Sequence, residues 1–313
     1  MAYLGELISI GVALSWTVAS LWSEISSKRL GAQVMNTWRM AISVAVYAVL
    51  SWVLLGAPYP VHAGAKTWMW LSLSGFIGFF LGDICLLGSY VIIGARLGQL
   101  FMTLAPAFAT FFGWLILGQS LSWKSLLAMV ITMFGIGLTI LGHGHEKGKK
   151  ISLQIPLKGA LLGIGAALGQ GLGLIISGIG MNHYLQEIPA DILPGIEMYI
   201  PFSANMIRCI TGFIACLILV LVVKPKPGMS AFLHDGKSMR AMAIVVLTGP
   251  VLGVGFSLMA LRYTAAGIAS TLQSTTPILL LLPSHWMFGE KLTLRSIVGA
   301  IVSVIGVSLF FLL

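Results

Sequence analysis

Asp83 stands near the middle of SLSGFIGFFLGDICLLGSYVII (72–93), a stretch with no basic residue of its own. A carboxylate there suits a proton or cation site, or a contact for a substrate amine; the alternative is a protonated side chain bonded to a neighbouring helix for packing alone. Arg39 and Arg208 stand near the starts of two further apolar runs. Each guanidinium either faces a cavity and grips an anionic group bidentately or snorkels to the headgroups. Asn36 and Asn205 precede them by three positions and share their helix face. An Asn–Arg face turned inward suits a carboxylate or a phosphate.

Further candidate contacts are uncharged. Gln99 opens QLFMT (99–103) and Gln273 lies in STLQSTT (270–276), polar runs just ahead of Pro106 and Pro277. Both runs are expected to line a pathway. A proline within a helix frees a backbone carbonyl one turn earlier, so Pro106 and Pro277 read as hinges or as static kinks. Gln170 is another candidate donor, and Trp16 occupies the matching position of an internal repeat described below. Trp16, Trp114 and Trp286 offer stacking surfaces, with packing as the plainer reading. Trp68, Trp70 and Trp123 read as interfacial anchors. Glu6 and Glu24 are 18 residues apart and read as solvated ends of the first helix. His285 near a helix end is either a titrating relay or a bystander. Cys85, Cys209 and Cys216 lie in apolar runs, where neither a disulfide nor a metal site is expected.

The elements that must position these residues are membrane helices. Of 313 residues 58% are hydrophobic and only 9% charged, and mean hydropathy is +0.99. That excludes a soluble globular chain, in which about 25% of residues are charged. The net charge of +9 therefore reports membrane orientation before any partner, and nucleic-acid binding is excluded. Ten apolar segments of about 20 residues can be laid down, near 4–25, 36–55, 68–91, 97–117, 123–142, 158–181, 198–223, 240–261, 268–288 and 293–313. The first continues past Trp16 to Trp22 without a cleavage site and reads as a retained helix. The expected fold is an all-α membrane protein.

The chain also repeats. Gly5, Ile10, Gly11, Ala13 and Leu14 recur as Gly159, Ile164, Gly165, Ala167 and Leu168. Asn36 and Arg39 recur as Asn205 and Arg208, Gly78 and Gly82 as Gly249 and Gly253, and Pro106 as Pro277. The segment LGQSLSWKSL (117–126) recurs as FGEKLTLRSI (288–297). Asp83 corresponds to Val254, which makes any site there asymmetric. Two five-helix units follow, 1–142 and 158–313, joined by a polar linker at 143–157. An odd helix number forces the second unit to enter the membrane from the opposite side, giving inverted repeats. Thirteen basic loop residues then fall on the face opposite the N-terminus and Lys66, Lys124 and Arg262 on the other, which by the positive-inside rule places both termini outside.

These features together resemble the drug/metabolite transporter superfamily, and within it the ten-helix EamA-like family. The likeness spans the chain. It rests on the duplicated five-helix unit, Arg39 and Arg208, Pro106 and Pro277, and Gly289-Glu290 followed by a helix with Gly299 and Gly306. The first copy departs from the pattern, reading Gly118-Gln119 without the carboxylate. The resemblance implies termini in the cytoplasm, opposite to the charge distribution, and a central cavity between the halves. It also implies secondary transport or export of small polar metabolites, amino acids, nucleotide sugars or drugs.

The expected function is accordingly that of a secondary transporter, an exporter in direction, moving a small polar, amino acid-like or drug-like solute by alternating access. Partners are the lipid bilayer, a small-molecule substrate and protons or cations, in a monomer or homodimer of the inner or plasma membrane. No cofactor is expected: neither a phosphate-binding Gly-x-x-x-x-Gly-Lys-Ser/Thr loop nor a His-Glu-x-x-His pair occurs. The competing readings are a membrane sensor or regulatory protein and an intramembrane enzyme.

Overall fold

A computed structural model of the chain describes residues 3–118, 123–142, 155–260, 263, 272–289 and 292–312. Gln119, most of the polar linker, Arg262, Ser270, Thr271, Glu290 and Lys291 lie outside the described residues. The long helices are α1 (Leu4–Leu30), α2 (Ala32–Leu55), α3 (Ala65–Met102), α4 (Ala105–Leu117), α5 (Trp123–Gly142) and α6 (Leu157–Glu187). After them come α7 (Ile200–Val223), α8 (236–260, with a π-helical middle), the short α9 (Leu281–Phe288) and α10 (Leu294–Leu312). No strand occurs among the described residues. Helices dominate because hydrocarbon offers backbone N–H and C=O groups no partner, so each span must satisfy its own.

Among the described residues, six helical stretches are long and apolar enough to cross a bilayer: Leu4–Leu30, Ala32–Leu55, Ala65–Met102, Leu157–Glu187, Leu193–Val223 and Gly236–Ser257. Ala105–Leu117, Val130–Thr139 and Leu294–Leu309 are shorter apolar runs. The outer face of α1 is apolar, with Leu7, Ile10, Leu14 and Val18 exposed at helical spacing, while Ser9, Ser20, Ser23, Ser26 and Ser27 are buried behind it. This distribution, apolar outside and small polar within, is that of helices packed in lipid.

Two corners are tighter than the apolar runs suggest. Only Gly31 separates α1 from α2, at φ 77° and ψ 155°, and Gly94 interrupts α3 at φ 81° and ψ 162°. Both conformations are essentially confined to glycine. At Gly94 the chain doubles back, for a Cβ at Gly98 would meet Tyr90 and the Ser89 hydroxyl at 2.6–2.7 Å. Ala65–Met102 is therefore two antiparallel arms.

Contacts between helices set their relative sense. Ser15 Oγ donates to Thr248 O at 2.7 Å and Arg29 pairs with Asp235, so α1 and α8 are antiparallel. Ser74 donates to Gly173 O at 2.6 Å, while Glu187 accepts from Gly64 N at 2.7 Å and Thr67 Oγ1 at 2.5 Å. The first arm of α3 and α6 are thus antiparallel in the same manner. Asn36 meets Cys216 and Asn205 meets Tyr47, so α2 and α7 are antiparallel as well. By contrast Trp38 reaches Met229 O and Tyr47 reaches Pro250 O, which makes α2 parallel to α8. Gly75 lies against Arg208 and Phe79 against Gly212, making the first arm of α3 parallel to α7. Hence α1, the first arm of α3 and α7 point one way, and α2, α6 and α8 the other.

Both α3 and α8 widen to a π-helix, at Phe76–Gly82 and Leu247–Val254. The two segments begin 171 positions apart, the offset of the sequence repeat. Pro250 inside the second has no N–H to donate, which removes one i→i−4 bond and favours the wider turn. Such segments are frequent at functional sites.

Candidate site at the junction of α2, α3 and α6

Asp83 follows the first π-helical segment and is 4% exposed. Its Oδ2 forms an ion pair with Arg39 from α2, and its Oδ1 accepts from Gln170 Nε2 of α6 at 2.9 Å. Arg39 is held in turn by Asn36, whose Oδ1 accepts from Arg39 Nη2 at 2.9 Å and Nε at 3.2 Å. The amide of Asn36 faces the other way, donating to Phe79 O at 2.8 Å and reaching Cys216 Sγ at 3.3 Å. Four candidate residues from three helices thus form one network. The pair is buried and hydrogen-bonded at its remaining lone pairs, the condition under which such a pair survives desolvation. Asp83 does not face the acyl chains.

The second repeat reproduces the frame with different chemistry. Asn205 Nδ2 donates to Tyr47 Oη at 2.8 Å, and Tyr47 donates to Pro250 O at 2.6 Å. Pro250 is the repeat counterpart of Phe79, and Tyr47 that of Cys216. Each π-helical segment therefore has the carbonyl at this position satisfied by an α2 side chain, Asn36 in one copy and Tyr47, itself accepting from Asn205 of α7, in the other. Arg208 has no acid in the position that Asp83 holds for Arg39. Its guanidinium lies 4.2 Å from the Phe79 ring centroid, its Nη1 is 3.5 Å from Asn205 Oδ1, and its Nε is buried without a hydrogen-bond partner among the described residues.

The remaining candidates take other positions. Gln99 donates to Tyr90 Oη at 2.7 Å and Ser20 Oγ at 2.9 Å, joining the second arm of α3 to α1. Trp16 packs its indole edge onto Gly253 of α8, just as its counterpart Gln170 lies against Gly82 of α3. Gln273 accepts from Ser257 at 2.9 Å. Neither Pro106 nor Pro277 lies inside an unbroken helix. Both occupy the first turn of a new helical segment, after turns at Thr103–Leu104 and Ser274–Thr275, where a missing N–H costs nothing. The expectation that they free a mid-helix carbonyl is thereby corrected.

Glu24 corrects another expectation. It lies inside α1 and is fully buried, forming an ion pair with Lys28 and accepting from Ala95 N at 2.6 Å. It caps the arm that begins after Gly94, a role invisible until that corner is known. Trp114 and Trp286 are 45% and 73% exposed, and Trp114 packs against Phe111 with ring centroids 5.9 Å apart. His285 is likewise exposed. Sequence reasoning overlooked Tyr47, Tyr90 and Ser20. The first was discoverable from its repeat alignment with Cys216, opposite Asn36. Among the described residues no three metal-ligating side chains converge.

Comparison with known proteins places this site in context. The sequence model of the EamA-like transporter family matches residues 3–141 and again residues 157–312. The uncharacterized transporter YoaV of Bacillus subtilis (strain 168) is 26% identical over 148 residues, covering 47% of this chain and 50% of the relative. The chain thus spans about half the length of that curated relative. A solved crystal structure superposes with a TM-score of 0.61 over 97% of this chain and 95% of its own, at 13% identity, a likeness of fold alone.

Proposed function

Because the chain belongs to the EamA-like transporter family and is a multi-pass integral membrane protein, we propose that it is a secondary transporter, an exporter of a small polar metabolite. Ten spans in two inverted five-helix halves, 1–142 and 158–313 about the linker 143–157, alternate access to a site between them. The opposite senses of α1 and α6, and of α2 and α7, support the inversion. So does the exchange of α1–α8 contacts for α6–α3 contacts.

One observation carries the reading: the buried Arg39–Asp83 pair sits where α2 and α3 of one half meet α6 of the other, beside a π-helical turn. Separating the halves there exposes two charges that water, a proton or a ligand must meet. Ligand binding and opening are thereby linked, since a ligand shifts an equilibrium only by interacting differently with its two states. In this reading Asp83 takes the coupling proton or cation, Arg39 is its resting partner, and Asn36, Gln170, Gln99 and Gln273 hold the polar path. Trp16 and Asn205 support it, and the breaks ahead of Pro106 and Pro277 serve as hinges. The unit of function is a monomer or homodimer.

Flux in reconstituted vesicles tests this. Purified protein is expected to accelerate counterflow of its solute under a pH gradient, and Asp83→Asn to abolish the pH dependence. Absence of flux for every solute whose cellular level changes on overproduction refutes transport. An unaltered pH profile in Asp83→Asn removes only the coupling role.

A further inference from the structure

Charge does not balance at the junction of the repeats. Where α2, α3 and α7 meet, Arg39 and Arg208 bring two guanidinium groups and Asp83 one carboxylate, while the buried Glu24 and Arg96 belong to α1 and the second arm of α3. Arg39 and Arg208 are each preceded three residues earlier by an Asn that accepts from them, so the two half-sites share their cationic and amide parts. They differ in the acid. The position equivalent to Asp83 is Val254, and no carboxylate among the described residues lies within ion-pair distance of Arg208.

The surroundings of Arg208 fit a cation awaiting a partner. Its contact with Asn205 is long, its Nε donor is unmatched, and it rests on the face of Phe79, which supplies only the weak attraction of a ring for a cation. Gly78 lets the guanidinium pack closely onto α3: a Cβ there would stand 3.3 Å from Arg208 Nη2. A cleft between α2 and α7, lined by Tyr47, Ser51, Tyr199 and Phe202 among others, ends at the Tyr47 that receives the Asn205 bond, with Arg208 outside its wall. A guanidinium is permanently charged and presents a planar fork of donors, whose matching acceptor is a planar carboxylate.

We infer that Arg208 is the anchor for a substrate carboxylate, the partner that an acid at the repeat-equivalent position 254 would supply if the two halves were identical. This rests on the transport reading and narrows it to solutes carrying one carboxylate, the charge that balances Arg39, Arg208 and Asp83 at this junction. Phosphate esters, with about two charges, are disfavoured. The asymmetry between Asp83 and Val254 then has a cause: one half carries its own acid and the other borrows one.

The test is binding to the detergent-purified full chain, read as a thermal shift. Probes are matched pairs: a set of 2-oxo, 2-hydroxy and 2-amino carboxylic acids, each beside its carboxamide, with inorganic phosphate as a further arm. At least one acid is expected to bind about tenfold or more tightly than its amide, a difference of about 1.4 kcal/mol. Arg208→Gln is expected to erase that preference and Arg208→Lys to retain part of it. Val254→Asp restores, at the repeat-equivalent position, the acid that the ligand is inferred to replace, and is expected to raise the melting temperature while abolishing acid binding. Equal binding of acids and amides, preference for phosphate, or full acid preference in Arg208→Gln overturns the inference. If Arg208→Gln does not fold, retained acid binding in a well-folded Val254→Asp protein overturns it instead. The transport reading is judged separately: vesicle flux with no acid preference refutes the anchor alone, whereas acid-selective binding without flux refutes transport alone.

Discussion

Asp83→Asn tests the physical core of the site. The side chains of Asp83 and Arg39 are 6% and 12% exposed, so nearly all of the desolvation cost is already incurred and the ion pair offsets it. Replacing the carboxylate by an amide leaves Arg39 buried without a counter-charge. One face of the new side chain must also present N–H groups to a donor, either Arg39 or Gln170. Removing one partner of a buried pair costs about 3–5 kcal/mol, and Asn36 still accepts from Arg39, so the low end, about 3 kcal/mol, is expected. That is about a hundredfold in the folding equilibrium. Arg39→Gln in the same background removes the stranded charge and is expected to recover at least about 1 kcal/mol, giving a clear coupling energy in a double-mutant cycle. Reversible unfolding in mixed micelles by denaturant titration reads all three variants. If Asp83→Asn unfolds within about 0.5 kcal/mol of the parent protein and the cycle shows no coupling, the buried charge pair is wrong as described.

Three further outcomes follow from the packing. Gly94→Ala is expected to destabilise by about 1–3 kcal/mol, because φ 81° with ψ 162° admits essentially only glycine; unfolding in micelles measures it. Gly299→Ala drives a methyl into the Thr139 hydroxyl and to 2.5 Å from Thr139 N, prising α10 from α5 at about 1–3 kcal/mol. Gly137→Ala, inside α5 with open space around it, is the control and is expected to stabilise by about 0.5–1 kcal/mol. The hydrogen bond from Arg29, then that from Ser238, holds Asp235 well below the usual carboxylate range. Because the folded-state value is depressed, its stabilisation is present at pH above the unfolded value near 3.8 and is lost as pH falls through the folded one. Asp235→Asn is therefore expected to lower the melting temperature near neutrality and to flatten the acid limb of a melting-temperature profile.

Much of the architecture was legible because a bilayer imposes one-dimensional rules. Apolar runs near 20 residues forecast helices, and all the long helices described here lie on those runs. Helix ends were less legible. The stretch 26–35 looked like a loop because it carries Ser, Lys and Arg, yet α1 and α2 run through it to a single glycine. Seryl groups at positions 23, 26 and 27 are buried against neighbouring helices, a fate that composition does not disclose. The two prolines misled for a related reason: a proline within an apolar run is equally compatible with a kink and with a fresh helix start, and neighbouring backbone decides between them.

For the site, the sequence by itself determined which residue types are present: an acid in an apolar run, two Arg with Asn one turn before, and a repeat in which the acid has no twin. Those follow from the cost of placing charge in hydrocarbon, which makes each such residue stand out. Only the tertiary structure decided that Arg39 meets Asp83, 44 positions away, that Gln170 from the other half completes the contact, and that Arg208 is left over. It likewise decided that Glu24 is a buried cap. The physical reason is that partnership depends on helical phase, relative sense and depth between separate helices. A few degrees of rotation or one turn of sliding would pair different side chains without altering any local pattern.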